Sequence, residues 1–137
     1  MSQSLENAAV VNALRQVVAQ KYALIGQFDL CHWNVRGPGF FSLHTAFEGK
    51  FTEFFIAVDK AAERIRALGA LAPGGGGNLA QMAGIEEIAK DGDANTVVKH
   101  VVNLRQKLVG TLEKARNLAT EAEDSRPKIS DCSDAGP

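Results

Sequence analysis

The chain has 137 residues, of which 45% are hydrophobic and 23% charged, and its formal net charge is −1. These values are typical of one soluble globular domain and exclude a strong overall attraction to nucleic acid or to an anionic membrane. The sequence holds no run of the roughly 20 apolar residues that a membrane helix needs, and its start lacks the pattern of a secretory signal. We therefore predict a cytoplasmic protein that does not enter membranes.

The two cysteines, Cys31 and Cys132, lie far apart in the sequence and form no Cys-x-x-Cys motif. Cysteines of this kind remain thiols in a reducing cytoplasm. We predict that both are free.

Two long helices are predicted in the first half of the chain. Residues at steps of three and four predict a helix over 6–35, which the turn Gly37-Pro38-Gly39 ends. Ser42 is the predicted N-cap of a second helix that runs to Leu68. Gly69 follows it, where a C-cap glycine belongs.

A loop, a short helix and a third long helix are predicted next. The glycine-rich stretch APGGGGN, residues 72–78, predicts a loop. It is not a phosphate-binding loop, because no strand precedes it and no Gly-Lys-Ser/Thr follows. Residues 79–88 predict a small helix across the connection. Asp91 and Asp93 are candidate N-caps of a third long helix over about 94–122.

The pattern as a whole predicts an all-α fold, because no segment alternates apolar and polar residues as a β-strand does. After Glu123 the sequence is polar and contains two prolines, which predicts an irregular or disordered tail over residues 124–137. We therefore divide the chain into a helical domain, residues 1–123, and this tail. An up-down bundle commonly has four long helices, so one is missing here or comes from another chain.

The second helix has two faces of different character. Seven apolar residues at alternating steps of four and three form a seam that belongs to the core. They are Phe47, Phe51, Phe54, Val58, Ala61, Ile65 and Leu68. A stripe about 120° away carries His44, Glu48, Asp59 and Glu63. Phe55 lies on the same stripe and would be exposed in a monomer, so we expect this face to meet a partner.

One helix cannot bring this polar stripe to a single metal ion, because Glu48 and Asp59 lie about 16 Å apart along the axis. An antiparallel pair of second helices, related by a two-fold axis at mid-helix, removes the difficulty. It places His44 opposite the partner's Glu63, and Glu48 opposite the partner's Asp59, in two equivalent sites. His32, at the end of the first helix, reaches the same position.

The combined donor set contains two imidazoles and three carboxylates. Such donors suit iron or manganese, and also zinc, but the absence of thiolate argues against a structural zinc site. The surplus of donors favours an open, redox-active iron centre. In the alternative, the histidines and acids are surface pairs, and the chain is a non-enzymatic helical oligomerisation module with a polar dimer face. Facing acids would then repel each other without a cation.

The stretch HWNVRGPGFFSLHTAFE, followed by FFIAVDKAAERIRALG at residues 54–69, resembles the Dps family of mini-ferritins, the DNA-binding proteins from starved cells. The signature is His-Trp-Asn, a histidine twelve residues later, an acid four further on, and an Asp-x-x-x-Glu pair. The match is strong over residues 7–70 and stays in register to about 123. It implies a ferritin-like up-down helical bundle and a homo-oligomer, dodecameric in the family, built on a dimer through residues 42–68. It also implies an intersubunit ferroxidase site formed by His32, His44, Glu48, Asp59 and Glu63.

The implied function is oxidation of Fe(II) by hydrogen peroxide or dioxygen, with iron as the cofactor, for iron storage, detoxification and protection against oxidative stress. His32 and His44 are the expected nitrogen ligands. Glu48 and the partner's Glu63 would bridge or bind terminally, and the partner's Asp59 would act directly or through water. Ordinary ferritins and bacterioferritins instead use Glu-x-x-His motifs within one chain, and no such motif occurs here.

Three further residues near this pattern have weaker assignments. Trp33 adjoins the ligands and could supply an electron, although we favour a buried aromatic beside a turn. Asp29, one turn before His32, is a candidate hydrogen-bond acceptor behind the metal ligands. His100 has no acidic companion at ligand spacing, and we predict a surface histidine.

The sequence departs from the family pattern in two places, and a third feature concerns DNA. Glu48 stands where the family usually has aspartate, and the polar tail replaces the fourth long helix that completes the bundle and the shell. Members that bind DNA tend to use lysine-rich tails. Residues 1–10 contain no Lys or Arg, and residues 124–137 contain only Arg126 and Lys128. We therefore expect weak DNA binding or none.

Overall fold

The structure is a computed structural model that describes residues 3–87 and 93–124. Within these ranges the chain forms four helices and no strand, which confirms the predicted all-α class. The helices are α1 Gln3–Asn34, α2 Phe40–Ala67, α3 Gly76–Ala83 and α4 Ala94–Asp124. Three of them are long and one is short, in the predicted order. None of these helices combines the length and hydropathy that a bilayer crossing requires.

The first helix, α1, is the central element, because α2, α3 and α4 each pack along it. Its buried residues lie on several sides, as they do in a helix surrounded by others. They are Val10, Val11, Val17, Val18, Ala19, Gln20, Leu24, Ile25, Gln27, Phe28 and Cys31. Cys31 is a free thiol, as predicted, and burial raises its pKa to about 11. Cys132 lies outside the described residues.

Phe28 connects α1, α2 and α4 in one core. Its ring lies 6.3 Å from the ring of Phe47 and 5.1 Å, edge on, from the ring of Phe54. Val101 and Leu104 of α4 belong to the same cluster. The predicted seam of α2 therefore faces the core, and its other members, Phe51, Val58, Ala61, Ile65 and Leu68, are buried or partly buried.

The sequence predicted the C-terminal end of α2 correctly and its N-terminal end wrongly. The helix begins at Phe40 after Gly39, with no side-chain cap, so the prediction of Ser42 as N-cap is wrong. The reason is the turn at Gly37, whose φ of 102° lets the Phe40 N–H donate to the Gly37 carbonyl at 3.0 Å and start the helix early. At the other end, Gly69 has a φ of 87° and the helix stops, as predicted.

We expect Gly69→Ala to destabilise the protein by about 1 kcal/mol, because an alanine is strained at a φ of 87°. No atom outside its own neighbours lies within 4 Å of the added Cβ, so backbone strain is the main cost. Gly49→Ala is the matched control, since Gly49 lies inside α2 with equal free space and should gain up to about 1 kcal/mol of stability. Urea unfolding at equal protein concentration measures both. If both substitutions change the free energy of unfolding in the same direction, backbone strain at Gly69 is not the cause.

The short helix lies earlier than predicted. It spans Gly76–Ala83 rather than 79–88, so the predicted loop over 72–78 is wrong for its last three residues. Leu79 and Ala83 are buried in a cluster with residues of α1, and this contact favours helical structure in a glycine-rich segment with low propensity. Gly84, with a φ of 57°, ends the helix.

The start of α4 confirms one of the two predicted caps. The Thr96 N–H donates to Asp93 Oδ1 at 2.8 Å, and this bond lowers the pKa of the Asp93 carboxyl. Asp91 and residues 125–137 lie outside the described residues, so the domain boundary after residue 123 and the irregular tail stay predictions.

Candidate metal centre

His32 and His44 form a stacked pair where α1 and α2 approach the Gly-Pro-Gly turn. Their ring centroids are 3.7 Å apart and their planes differ by 19°. His32 lies in the last turn of α1, and His44 lies in the second turn of α2. The five-residue connection 35–39 folds α2 back along α1 and brings together two residues that are twelve apart in the sequence.

Each ring of this pair is held by the backbone of the other histidine. His32 Nδ1–H donates to the His44 carbonyl at 2.7 Å, and His44 Nδ1–H donates to the His32 carbonyl at 2.7 Å. A neutral imidazole that donates through Nδ1 has its lone pair on Nε2. The pair therefore offers two Nε2 atoms, which is how metal-binding histidines are usually oriented.

The three predicted carboxylate ligands lie on α2 as the helical pattern requires, and all three are exposed. They are Glu48, Asp59 and Glu63. Among the described residues, no three His, Cys, Asp or Glu side chains of one chain come close enough to hold a metal ion. The structure thus brings the two histidines together and leaves the carboxylates apart along the helix.

Two large aromatic residues, one on α2 and one on α1, are strongly exposed. Phe55, in the polar stripe of α2, is 60% exposed, as predicted for a monomer. Trp33 is 67% exposed, so the expectation of a buried aromatic is wrong for this single chain. The reason is that Trp33 lies in an open depression between α1 and α3, where Leu30 and Ala80 cover it only in part. The exposed Phe55 is one reason to expect a partner on this face of α2.

Two other predicted residues differ in outcome. Burial raises the pKa of Asp29, and the nearby His32 opposes that shift. His32 Nδ1–H donates to the His44 carbonyl, and a hydrogen bond from a metal-binding histidine to Asp29 stays a prediction. His100 is half-buried and its Nε2 atom is shielded without a hydrogen-bond partner among the described residues, so the surface assignment is wrong. It lies at the edge of the α4 stripe that contains the buried Val97 and Leu104.

One contributor to the site was missed in the sequence. The ring of Phe40 lies 5.0 Å from the ring of His44, tilted by 31°. The spacing of four residues on one helix is the available signal, because such side chains are neighbours. That signal depended on starting the helix at Phe40 rather than at Ser42.

An apolar groove of about 290 Å³ lies elsewhere, between α1, α2 and α4. Its charged lining residues are Lys21, Arg64, Arg116 and Glu123. None of the predicted metal ligands lines it, so the groove and the histidine pair are separate features.

Comparison with known proteins gives consistent results. The family described as the ferritin-like domain matches residues 11–126. A DNA protection during starvation protein from Brevibacillus brevis is 36% identical over 124 residues, which cover 90% of this chain and 83% of that protein.

Solved structures agree in fold. The crystal structure of a Dps protein from Bacillus brevis matches with a TM-score of 0.84 and 35% identity, covering 90% of this chain and 83% of that one. A Dps protein from Vibrio cholerae O1, described as a member of a broad superfamily of ferritin-like diiron-carboxylate proteins, matches with a TM-score of 0.83 and 26% identity. That match covers 90% of this chain and 77% of the other.

Proposed function

This chain belongs to the Dps group of the ferritin-like family, and from that premise we propose that it is an iron-binding mini-ferritin that oxidises Fe(II) at an intersubunit site. The oxidant is hydrogen peroxide or dioxygen, and the products are stored and detoxified Fe(III). The stacked histidine pair is the observation that supports this proposal most strongly, because both rings use Nδ1–H for backbone carbonyls and keep the Nε2 lone pair for another partner.

The proposed site needs two copies of the chain. His32, His44 and Glu48 come from one copy, and Asp59 and Glu63 come from the other. A two-fold antiparallel arrangement of α2 is supported by the exposed carboxylates on one stripe. The exposed Phe55 would be buried at the centre of such an interface.

In this site the chain's residues bind the substrate iron and alter its redox preference. The imidazoles of His32 and His44 donate neutral nitrogen lone pairs, and the carboxylates of Glu48 and the partner's Glu63 donate anionic oxygens. Anionic oxygen donors stabilise Fe(III) more than Fe(II), so they favour loss of an electron to the oxidant. The protein would act as a homo-oligomer, and light scattering would determine how many subunits it contains.

Mixing two inactive variants tests whether the site lies between subunits. One variant carries His32→Ala and His44→Ala, and the other carries Asp59→Asn and Glu63→Gln. In a mixed dimer one site lacks all four groups and the other retains all four. After random pairing of equal amounts, we expect about a quarter of the wild-type rate of ferric absorbance formation.

Each variant alone should stay inactive in this assay, since each of its sites lacks two ligands. Dissociation and reassembly of the wild type with itself, by the same protocol, provides the reference rate. A mixture as inactive as its two components, with mixed oligomers verified by mass spectrometry, would show that the four groups act within one chain.

A further inference from the structure

The hydrogen bonds between His32 and His44 are crossed, so each histidine supplies both a donor and an acceptor. Both distances are 2.7 Å. The ring centroids lie only 3.7 Å apart, so a ring rotation that breaks one hydrogen bond also changes the stacking contact with the other ring. The two imidazoles are thus mutually dependent in orientation.

Phe40 supports this pair from one side. Its ring lies 5.0 Å from the His44 ring, while His32 stacks on His44 at 3.7 Å. The His44 ring therefore contacts two rings, which restrict its rotation, and Phe40 itself is 39% exposed. Phe41, the next residue, is 81% exposed. The two neighbouring phenylalanines have the same side chain, but Phe40 contacts His44 and Phe41 is mostly exposed.

We propose that His32, His44 and Phe40 form one positioning unit, which fixes the tautomer and direction of both imidazoles before Fe(II) binds. Phe40 acts as a positioning residue, since it contacts His44 and offers no donor to a metal. This inference rests on the proposed function, because it assigns the unit to the same iron site. It goes further in stating that the histidine half of the site is already ordered in a single chain.

The physical reason for such a unit is that a metal binds more weakly when its binding must also order the histidine side chains. A free histidine side chain rotates about two bonds and exchanges between two tautomers, so only a fraction of its states can bind a metal. Holding the ring through its other nitrogen removes these alternatives, and loss of such support typically lowers metal affinity about 10- to 100-fold. A second copy would then need to add only Asp59 and Glu63.

Co(II) binding to the assembled protein provides a probe that does not depend on iron oxidation. We expect Phe40→Leu to weaken Co(II) binding about tenfold or more, measured by calorimetry. Phe41→Leu is the matched control and should leave the affinity within about twofold of wild type. Phe40→Tyr keeps the ring and should restore most of the affinity, which a general loss of packing would not predict.

Nitrogen-15 solid-state NMR of histidine-labelled protein tests the tautomers directly and does not depend on oligomer size. Without metal, His32 and His44 should both show the Nδ1–H form. In His32→Ala the backbone carbonyl that accepts from His44 Nδ1–H remains, but the stacked ring that holds His44 against it is lost, so His44 should become a mixture of tautomers. A His44 signal unchanged in that variant would overturn the inference.

The outcomes separate this inference from the proposed function. If Co(II) binds equally well to wild type and to the variant lacking both histidines, the proposed function itself fails. If that variant loses Co(II) binding but Phe40→Leu and Phe41→Leu behave alike, the iron site stands and the positioning unit does not. Thermal unfolding of each variant verifies that the protein remains folded.

Discussion

Replacing both His32 and His44 with alanine is expected to abolish rapid iron oxidation, with a fall in initial rate of more than about 100-fold. Changes in residues that merely support metal ligands already cost about 10- to 100-fold, and this variant removes both nitrogen ligands. The acids that remain are exposed and would hold Fe(II) only loosely. The crossed hydrogen bonds disappear together, so neither backbone carbonyl keeps its ring donor.

The measurement is the appearance of ferric absorbance after hydrogen peroxide is added to protein loaded with Fe(II) without oxygen. His100→Ala is the matched control, because His100 is the third histidine of the chain and lies outside the pair. It should retain the wild-type rate. If the protein lacking both site histidines is as fast as wild type, the ferroxidase proposal is wrong, and the oligomerisation module becomes the better description.

Replacing Phe28 with alanine is expected to give the largest loss of stability among single substitutions in the core, about 3–5 kcal/mol. Phe28 is 1% exposed and packs against Phe47 and Phe54, so truncation leaves a cavity where three helices meet. A domain of this size typically has a free energy of unfolding of about 5–15 kcal/mol. The variant should therefore approach the limit of folding.

Urea unfolding followed by circular dichroism measures this loss, at one protein concentration because assembly contributes to apparent stability. Phe28→Leu retains much of the volume and should cost clearly less than alanine. Phe41→Ala, at an exposed position, should change little. A loss below about 1 kcal/mol for Phe28→Ala would mean that the three helices do not share this core.

Much of the candidate site was predictable because its residues follow local rules. The spacing of His44, Glu48, Asp59 and Glu63 determines that they lie on one stripe of any helix that contains them. The same reasoning placed the apolar seam of α2 on the core side, where Phe47, Phe54 and Ile65 are buried. The intersubunit arrangement itself stays a prediction, since it involves a second copy.

The N-cap of α2 was mispredicted for a local reason, and the other failures share one cause, which is contact between distant segments. Ser42 looked like a cap because its hydroxyl suits that role, but the turn at Gly37 starts the helix earlier. The glycines at 76 and 77 predicted a loop, and packing of Leu79 and Ala83 on α1 made them helical. Trp33 is exposed and His100 is half-buried, contrary to prediction, because burial depends on which neighbouring element covers a residue.

The sequence by itself determined the all-α class, the approximate extents of the long helices, the core seam of α2 and the line of acids and histidine opposite it. These follow from periodicity and from the conformational preferences of single residues, which act over a few positions. Only the tertiary structure decided that His32 and His44 hold each other through crossed bonds with Phe40 beside them. That arrangement depends on the angle at which the Gly-Pro-Gly turn returns the chain, and the packing of α2 on α1 sets this angle.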